Sequence, residues 1–370
     1  MSELILLFLR LGLTAFGGPA AHVALIERAC VRERQWLSHD EFLALLGVSN
    51  LIPGPTSTEL AMHVGRRRAG WPGLVAAGLA FIVPSAMIVG VLAAIYVAAG
   101  DLPLVRYIVL AVQPVVIVVI LDALVPLSRS ALRTPPAVVV AVGAIAASLA
   151  GLSEILVLML AGLTLLVTRP SFAVAVAVIA PACVLATVRD GVVPAVTDTE
   201  VFAYFFRTGS LLFGSGYVLL PVLEGDLVHN LRWLTARQLL DAVAAGQATP
   251  GPVFTTATFV GYVLRGVPGA VAATVGMFLP AFLFAALSSV AFERLNRSTL
   301  MRRFLAGVNA AAVALIALTL FSLARATLQG PVTLAIALCA FVLIFVVRTS
   351  PMVILTGAAV CGAIWSVFVT

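Results

Sequence analysis

The sequence predicts an all-α polytopic membrane protein. It is built from two inverted-topology repeats, with broken, re-entrant helices at GGP and PGP motifs and a connecting transmembrane helix between the halves. Three observations carry that expectation. The 370 residues are 62% hydrophobic and only 10% charged, with a mean hydropathy of +1.15, a balance that no soluble globular domain of this length shows. The chain is written twice. The arginines that flank its motifs also change sides between the two copies.

From the N-terminus, residues 4–16 are apolar apart from Arg10, and Gly17-Gly18-Pro19 interrupts the run before residues 20–26 resume it. The opening MSELILLFLR has no basic region ahead of its apolar run, so this segment is expected to stay in place rather than be cleaved as a signal peptide. Next comes WLSHDEFLALLGVSNLIPGPTSTELAMHVG. Here Ser38 precedes Glu41 and Thr56 precedes Glu59, each an S/T-x-x-E capping box that announces a helix start. One helix therefore begins after Trp36-Leu37 and stops near Pro53-Gly54-Pro55, and another begins at about Thr56. The second copy reads WLTARQ, with Thr235 and Gln238 repeating the first box, and then Pro250-Gly251-Pro252. Trp36 and Trp233 read as interface anchors. Apolar stretches at 72–99, 104–127, 136–151, 155–168, 172–188, 268–292, 304–323, 331–347 and 352–369 each approach the roughly 20 residues that cross a bilayer as a helix. Cys30, Cys183, Cys339 and Cys361 are isolated, without metal or redox spacing, and are expected to pack in the core.

An offset of 197 places Arg10 on Arg207, Gly12 on Gly209, Phe16 on Phe213, Gly17 on Gly214, Glu27 on Glu224, Trp36 on Trp233 and one PGP on the other. With one residue dropped, Gly65, Gly70, Gly73 and Pro84 fall on Gly261, Gly266, Gly269 and Pro280. Residues 1–169 form one repeat and 198–370 the other, joined by 170–197, whose apolar stretch 172–188 would turn the second repeat upside down. Loop charges agree. Arg28, Arg32, Arg34 and Arg66 to Arg68 flank the first PGP, and Arg129, Arg133 and Arg169 follow. The second PGP has Glu224, Asp226, Arg232, Arg237 and Arg265, and the bias reverses at the next loop, where Asp101 and Arg106 stand against Arg294, Arg297, Arg302 and Arg303.

Basic clusters on both sides of the first PGP fit a re-entrant pair of half-helices better than a single crossing. Non-helical backbone inside a bilayer persists only where it is buried in protein or lines a polar cavity. Half-helix N-termini at mid-depth would offer free N–H groups and a positive dipole to an anion. The sequence leaves open whether the first broken segment crosses or turns back. Arg10 and Arg207 sit inside apolar runs, where an arginine costs roughly 3 kcal/mol at a helix centre. Two readings follow: a cationic pocket on a pseudo-two-fold axis, or arginines that snorkel or brace Glu27 and Glu224. Asn50 and Gln247 precede their PGP breaks and either line the cavity or satisfy freed backbone groups. Thr56, Ser57, Thr255 and Thr256 have hydroxyls for an oxyanion, with helix capping as the plainer role of Thr56. Glu27 and Glu224 are candidate proton carriers or solvated ion pairs, and His22 and His63, without repeat equivalents, read as structural.

The doubled F-G-G-P or F-G-S-G break, the W-L-[ST] approach and the twin P-G-P motifs together resemble the chromate transporter family in its long two-domain form, over nearly the whole chain. The resemblance implies a multi-pass carrier of the bacterial inner membrane that exports chromate, with sulfate as the related oxyanion, and gives chromate resistance. The matching positions are Arg10, Gly17, Gly18, Pro19, Pro53, Gly54 and Pro55, with Arg207, Gly214, Gly216, Pro250, Gly251 and Pro252. The second copy departs from the first by having Ser215 and Gly216 where Gly18 and Pro19 stand, so the two sites need not be equivalent. No nucleophile with a base, no HExxH and no phosphate-cradling loop with Lys points to an enzyme, and the scattered His and Cys suggest no metal site and no cofactor. The partners expected are the oxyanion and membrane lipid, not nucleic acid, with a homodimer as one oligomeric option. An anion channel of the same architecture is the competing class.

Overall fold

The structure, a computed structural model, describes residues 1–16, 18–100, 102–166, 196–213, 216–290 and 299–369. The expected span 172–188, together with Gly17, Asp101, Arg169, Cys183, Gly214, Ser215, Arg294 and Arg297, lies outside them. Among the described residues every regular element is a helix. In order these are α1 (Ser2–Thr14), α2 (Gly18–Glu27), α3 (His39–Ser49), α4 (Thr56–Ala99), α5 (Pro103–Ala131), α6 (Pro135–Leu149) and α7 (Glu154–Thr164). The second half holds α8 (Asp198–Leu211), α9 (Leu219–Leu223), α10 (Ala236–Ala248), α11 (Thr256–Val290), α12 (Thr299–Thr327), α13 (Pro331–Phe341) and α14 (Pro351–Val369). Among the described residues five helices are long and apolar enough to cross a membrane: α4, α5, α11 with the short turn that precedes it, α12 and α14. The expected spans over 136–151, 155–168 and 331–347 are shorter, at Pro135–Leu149, Glu154–Thr164 and Pro331–Val346. The first two are cut by the turn at Gly151, whose φ is +91°.

Local chemistry sets the helix starts. Ser38 accepts from Glu41 N–H while the Glu41 carboxylate accepts from Ser38 N–H, and Thr235 with Gln238 does the same. A third reciprocal box, Thr197 with Glu200, opens α8. Pro103, Pro135 and Pro331 occupy first-turn positions, where a missing N–H costs nothing. The expected box at Thr56 does not form. Pro55 precedes the first turn of α4 without a side-chain cap, and both Glu59 carboxyl oxygens are buried with no hydrogen-bond partner. Proline fixes the approach to this helix, so the glutamate is not drawn back to the N-cap amide.

The long helices α4 and α11 are not rods. Ala69 (φ −142°) and Gly70 (φ +68°) leave helical geometry, as do Arg265 (φ −143°) and Gly266 (φ +65°). Each helix folds there into an antiparallel hairpin, which the side-chain contacts prove. Thr258 Oγ1 lies 2.8 Å from Thr274 Oγ1, although residues 16 apart on a straight helix would be about 24 Å apart. The legs approach so closely that a Cβ on Gly65 would overlap the carbonyl of Gly73, and one on Gly261 that of Gly269. This is why the repeat keeps four glycines here. The second leg of the first hairpin, 71–99, is the part long enough to span.

Packing follows the repeat. α1 lies on α4 and α8 on α11, with Gly12 against the carbonyl of Phe81 and Gly209 against that of Met277. α4 and α11 pack on each other at the centre, α5 packs against α13 and α14, and α12 packs against α6 and α7. Each half therefore lends its fifth-element helix to the other. Side chains such as Val75, Leu79 and Val83 on α4, and Val271, Val275 and Leu279 on α11, are exposed at spacings of four, the stripe a lipid-facing helix presents. Cys30 is buried, whereas Cys339 and Cys361 are exposed, which corrects the expectation that they pack in the core. Both stand on helices whose outer faces are apolar, so burial in lipid replaces burial in protein.

Candidate functional site

The breaks of each repeat are tied to those of the other. Gly54 donates its N–H to Leu212 O at 2.8 Å, at the end of α8, and Gly251 donates to Ala15 O at 2.9 Å, at the end of α1. These are one bond written twice, since both residue pairs are separated by the repeat offset. In a P-G-P triplet neither proline has an N–H, so the glycine amide is the only backbone donor and this bond uses it. Gly54 has φ +131° and Gly251 φ +91°, conformations that L side chains rarely adopt. A Cβ on Gly54 would overlap the Glu59 carboxyl, and one on Gly251 would stand 2.8 Å from Ser85 Cβ and 3.1 Å from Gly12 O.

Beside this crossing lies a cavity of about 1320 Å³, lined by both halves. The N-termini of two helices reach it: Gly18 and Pro19 at the start of α2 and Thr56 at the start of α4. From the second half come Tyr217, Val218 and Gln247, and from α12 come Arg302 and Asn309. Arg129 and Asp122 enter from α5 and Arg348 from the turn before α14. Three arginines and one carboxylate thus line the same cavity, and the two helix N-termini add partial positive charge. At ~30 Å³ per water the cavity has room for roughly forty, more than a small dehydrating pocket needs.

The sequence-predicted residues divide into those on this cavity and those elsewhere. Gly18, Pro19, Asn50, Thr56 and Gln247 line it. Gly54, Gly251 and the four PGP prolines build the turns behind it, but the glycine amides are already engaged across the repeat. Ser57 lies 3.3 Å from His22 Nδ1, Thr255 bonds Ser85 at 3.0 Å and Pro252 O at 2.8 Å, and Thr256 bonds Val253 O at 2.8 Å, so these hydroxyls serve the backbone breaks. Arg10 and Arg207 do not line the cavity. Arg10 is exposed on α1, and Arg207 is paired at 2.9 Å with the buried Asp226. Glu27 pairs with Arg32 at 3.2 Å, and Glu224 lies 3.7 Å from His229. From sequence alone Arg129 and Arg302 read as loop charges that set topology, and the only signal for Arg348 is its place in R-T-S-P between two apolar runs. Among the described residues no group of His, Cys, Asp or Glu is arranged to hold a metal.

Long apolar helices, paired backbone breaks and a cavity lined by three arginines define a multi-pass membrane protein. The profile of the family described as "Chromate transporter" matches residues 2–167 and again 199–363. The chain belongs to the chromate transporter family. It is 34% identical over 345 residues to a chromate transport protein of Pseudomonas aeruginosa, covering 88% of this chain and 81% of that one. It is 30% identical over 377 residues to a chromate transport protein of Cupriavidus metallidurans, covering 98% and 93%. A probable chromate transport protein of Synechococcus elongatus is 32% identical over 332 residues, covering 86% and 83%. No solved structure matches the chain.

Proposed function

We propose that this protein is a secondary transporter that moves chromate outward across the bacterial cytoplasmic membrane, with sulfate as the competing oxyanion, and thereby gives chromate resistance. The observation that carries the proposal is the cavity lined by Arg129, Arg302 and Arg348 with the single carboxylate Asp122, beside the helix N-termini at Gly18 and Thr56. Such a wall attracts anions and offers them guanidinium and hydroxyl donors. The names of the relatives support chromate as the ion. Chromate and sulfate are dianions near neutral pH, and an inside-negative membrane favours their exit by roughly 4.6 kcal/mol per 100 mV. Outward transport therefore needs no chemical fuel. In this reading the repeats 1–169 and 198–370 are inverted about a connecting span, and alternating access rocks one against the other about the Gly54–Leu212 and Gly251–Ala15 bonds. The test is uptake of labelled chromate by everted vesicles, energised and de-energised, with and without excess sulfate. Energised accumulation blocked by sulfate is expected. No accumulation above empty vesicles would leave the family and remove chromate as the cargo.

A further inference from the structure

Glu59 stands on the first leg of the α4 hairpin, one helical turn beyond the cavity residue Thr56. It is 0% exposed, and neither carboxyl oxygen has a hydrogen-bond partner among the described residues. The carboxyl rests on the PGP turn, filling the space a Gly54 side chain would take. Gly54 is also the residue that bonds Leu212 of the second half, and Ala281 of α11 closes over it at 3.3 Å from the same position. The acid therefore sits at the seam where the two repeats cross. It occurs once: the second copy has Thr255 and Thr256 at the equivalent place, with hydroxyls that bond Pro252 O and Val253 O.

An ionised carboxylate without donors is costly in such a place, and a leucine or glutamine would fit the helix without that cost. The titratable groups on the surrounding elements do not compensate it. His22 of α2 is bonded to Ser57 and Ala15 O, and His63, on the same leg, to Ser288 of α11. Asp241 of α10 accepts from Tyr96 and Gln113. Glu41 of α3 pairs with Arg67, His39 of α3 lies near Glu27 of α2, Arg207 of α8 pairs with Asp226, and Arg265 of α11 with Asp198. Glu3 of α1 lies near Arg34, and Arg10 of α1 and Asp40 of α3 are exposed. None of these groups bonds Glu59.

We propose that Glu59 carries a proton that couples oxyanion export to proton entry. With the PGP turn closed the carboxyl is neutral. When the turn lifts toward the cavity it gives its proton to water there, and the carboxylate is reprotonated from the opposite side before the turn closes again. The hinge is Gly54, whose φ only glycine tolerates readily and whose single amide bond reports the position of the other repeat. The proposal rests on the chromate reading, and its test separates the two.

Proteoliposomes are loaded with a pH-sensitive dye, and two quantities are followed for the wild type, Glu59→Gln and Glu59→Asp. One is counterflow of labelled chromate with no net driving force, which reports the carrier alone. The other is proton movement elicited by a chromate gradient, with its dependence on pH. In the wild type both are expected. Glu59→Gln should keep counterflow, lose chromate-elicited proton movement and lose the pH dependence, while Glu59→Asp should retain all three. Proton movement in Glu59→Gln equal to the wild type, or counterflow in the wild type with no proton movement, would overturn the coupling role. Loss of counterflow in both variants would reduce Glu59 to packing and overturn it as well. A wild type without chromate counterflow would overturn the chromate reading itself, and the coupling built on it, by the first measurement alone.

Discussion

At the scale of single residues, charge and backbone geometry can be separated by substitution. A hydrogen bond to a charged partner contributes about 1.5–3 kcal/mol, so Arg129→Gln, Arg302→Gln and Arg348→Gln should each lower chromate uptake roughly ten- to hundredfold. Arg106→Gln, an exposed position related to Arg302 by the repeat, is the matched control and should stay near wild type. Vesicle uptake at one protein level checks all four. The PGP glycines test geometry instead. An alanine forced into left-handed backbone costs roughly 1–2 kcal/mol before any contact is counted. At Gly54 the obstructing group is the end of the Glu59 side chain, which can swing aside, whereas at Gly251 it is Ser85 Cβ and the Gly12 backbone, which cannot. Gly251→Ala should therefore lower the unfolding temperature in detergent further than Gly54→Ala, and both should cripple transport. Equal melting of both variants would show that the two turns are equally yielding.

At the scale of elements, the hairpin from α3 through the PGP to residue 68 explains why basic residues bracket the motif. Arg67 Nη2 lies 2.8 Å from Glu41 Oε1, and Arg68 stands over the Trp36 ring, so the segment leaves where it began. Cysteines replacing Glu41 and Arg67 should cross-link readily and react with an impermeant reagent from one face only. The pair also sets a pH window. The Arg67 hydrogen bond first, and then the Ser38 amide and hydroxyl, hold the Glu41 carboxyl down at about 2, below its usual 4.5. Because the folded value is the lower one, this stabilisation is present above about 4.5 and is lost as pH falls toward 2. In the protein that keeps Glu41, the fall in unfolding temperature in detergent caused by Arg67→Gln should therefore be the same at pH 8 and at pH 5. Much of this element was legible in the sequence, since W-L-S-x-x-E carries its own capping chemistry and P-G-P its own stop. The same pattern misleads at Thr56, because a preceding proline fixes the turn and the glutamate goes inward. The hairpin at Gly70 shows in sequence only as glycines shared by two copies. Nothing local tells that Gly65 and Gly73 touch, since that contact depends on one residue's positive φ. The cavity arginines were illegible for a similar reason: they come together from α5, α12 and the turn before α14, far apart along the chain.

At the scale of the whole molecule, the repeat makes a stronger demand than similarity of its halves. The crossed amide bonds at Gly54 and Gly251, the paired packing of Gly12 and Gly209, and the exchange of α5 and α12 between halves all relate one repeat to the other by a two-fold operation. An axis in the membrane plane would invert one half; an axis along the membrane normal would leave both upright. Loop arginines favour inversion, because Arg66 to Arg68 end the first leg of the first hairpin while the matching turn of the second half has only Arg265. That difference yields a topology prediction. Single cysteines replacing Arg67 and Arg265, in an otherwise cysteine-free protein, should react with an impermeant maleimide from opposite faces. Arg67 should be reached in everted vesicles and Arg265 in intact spheroplasts. Both positions lie at exposed turns and the Arg265 pair with Asp198 is half-solvated, so neither substitution threatens the core. Reaction from the same face would place the axis along the normal. The two PGP turns would then lie at one depth, and the inverted-repeat form of alternating access proposed above would fall, leaving rocking of two upright halves as the alternative.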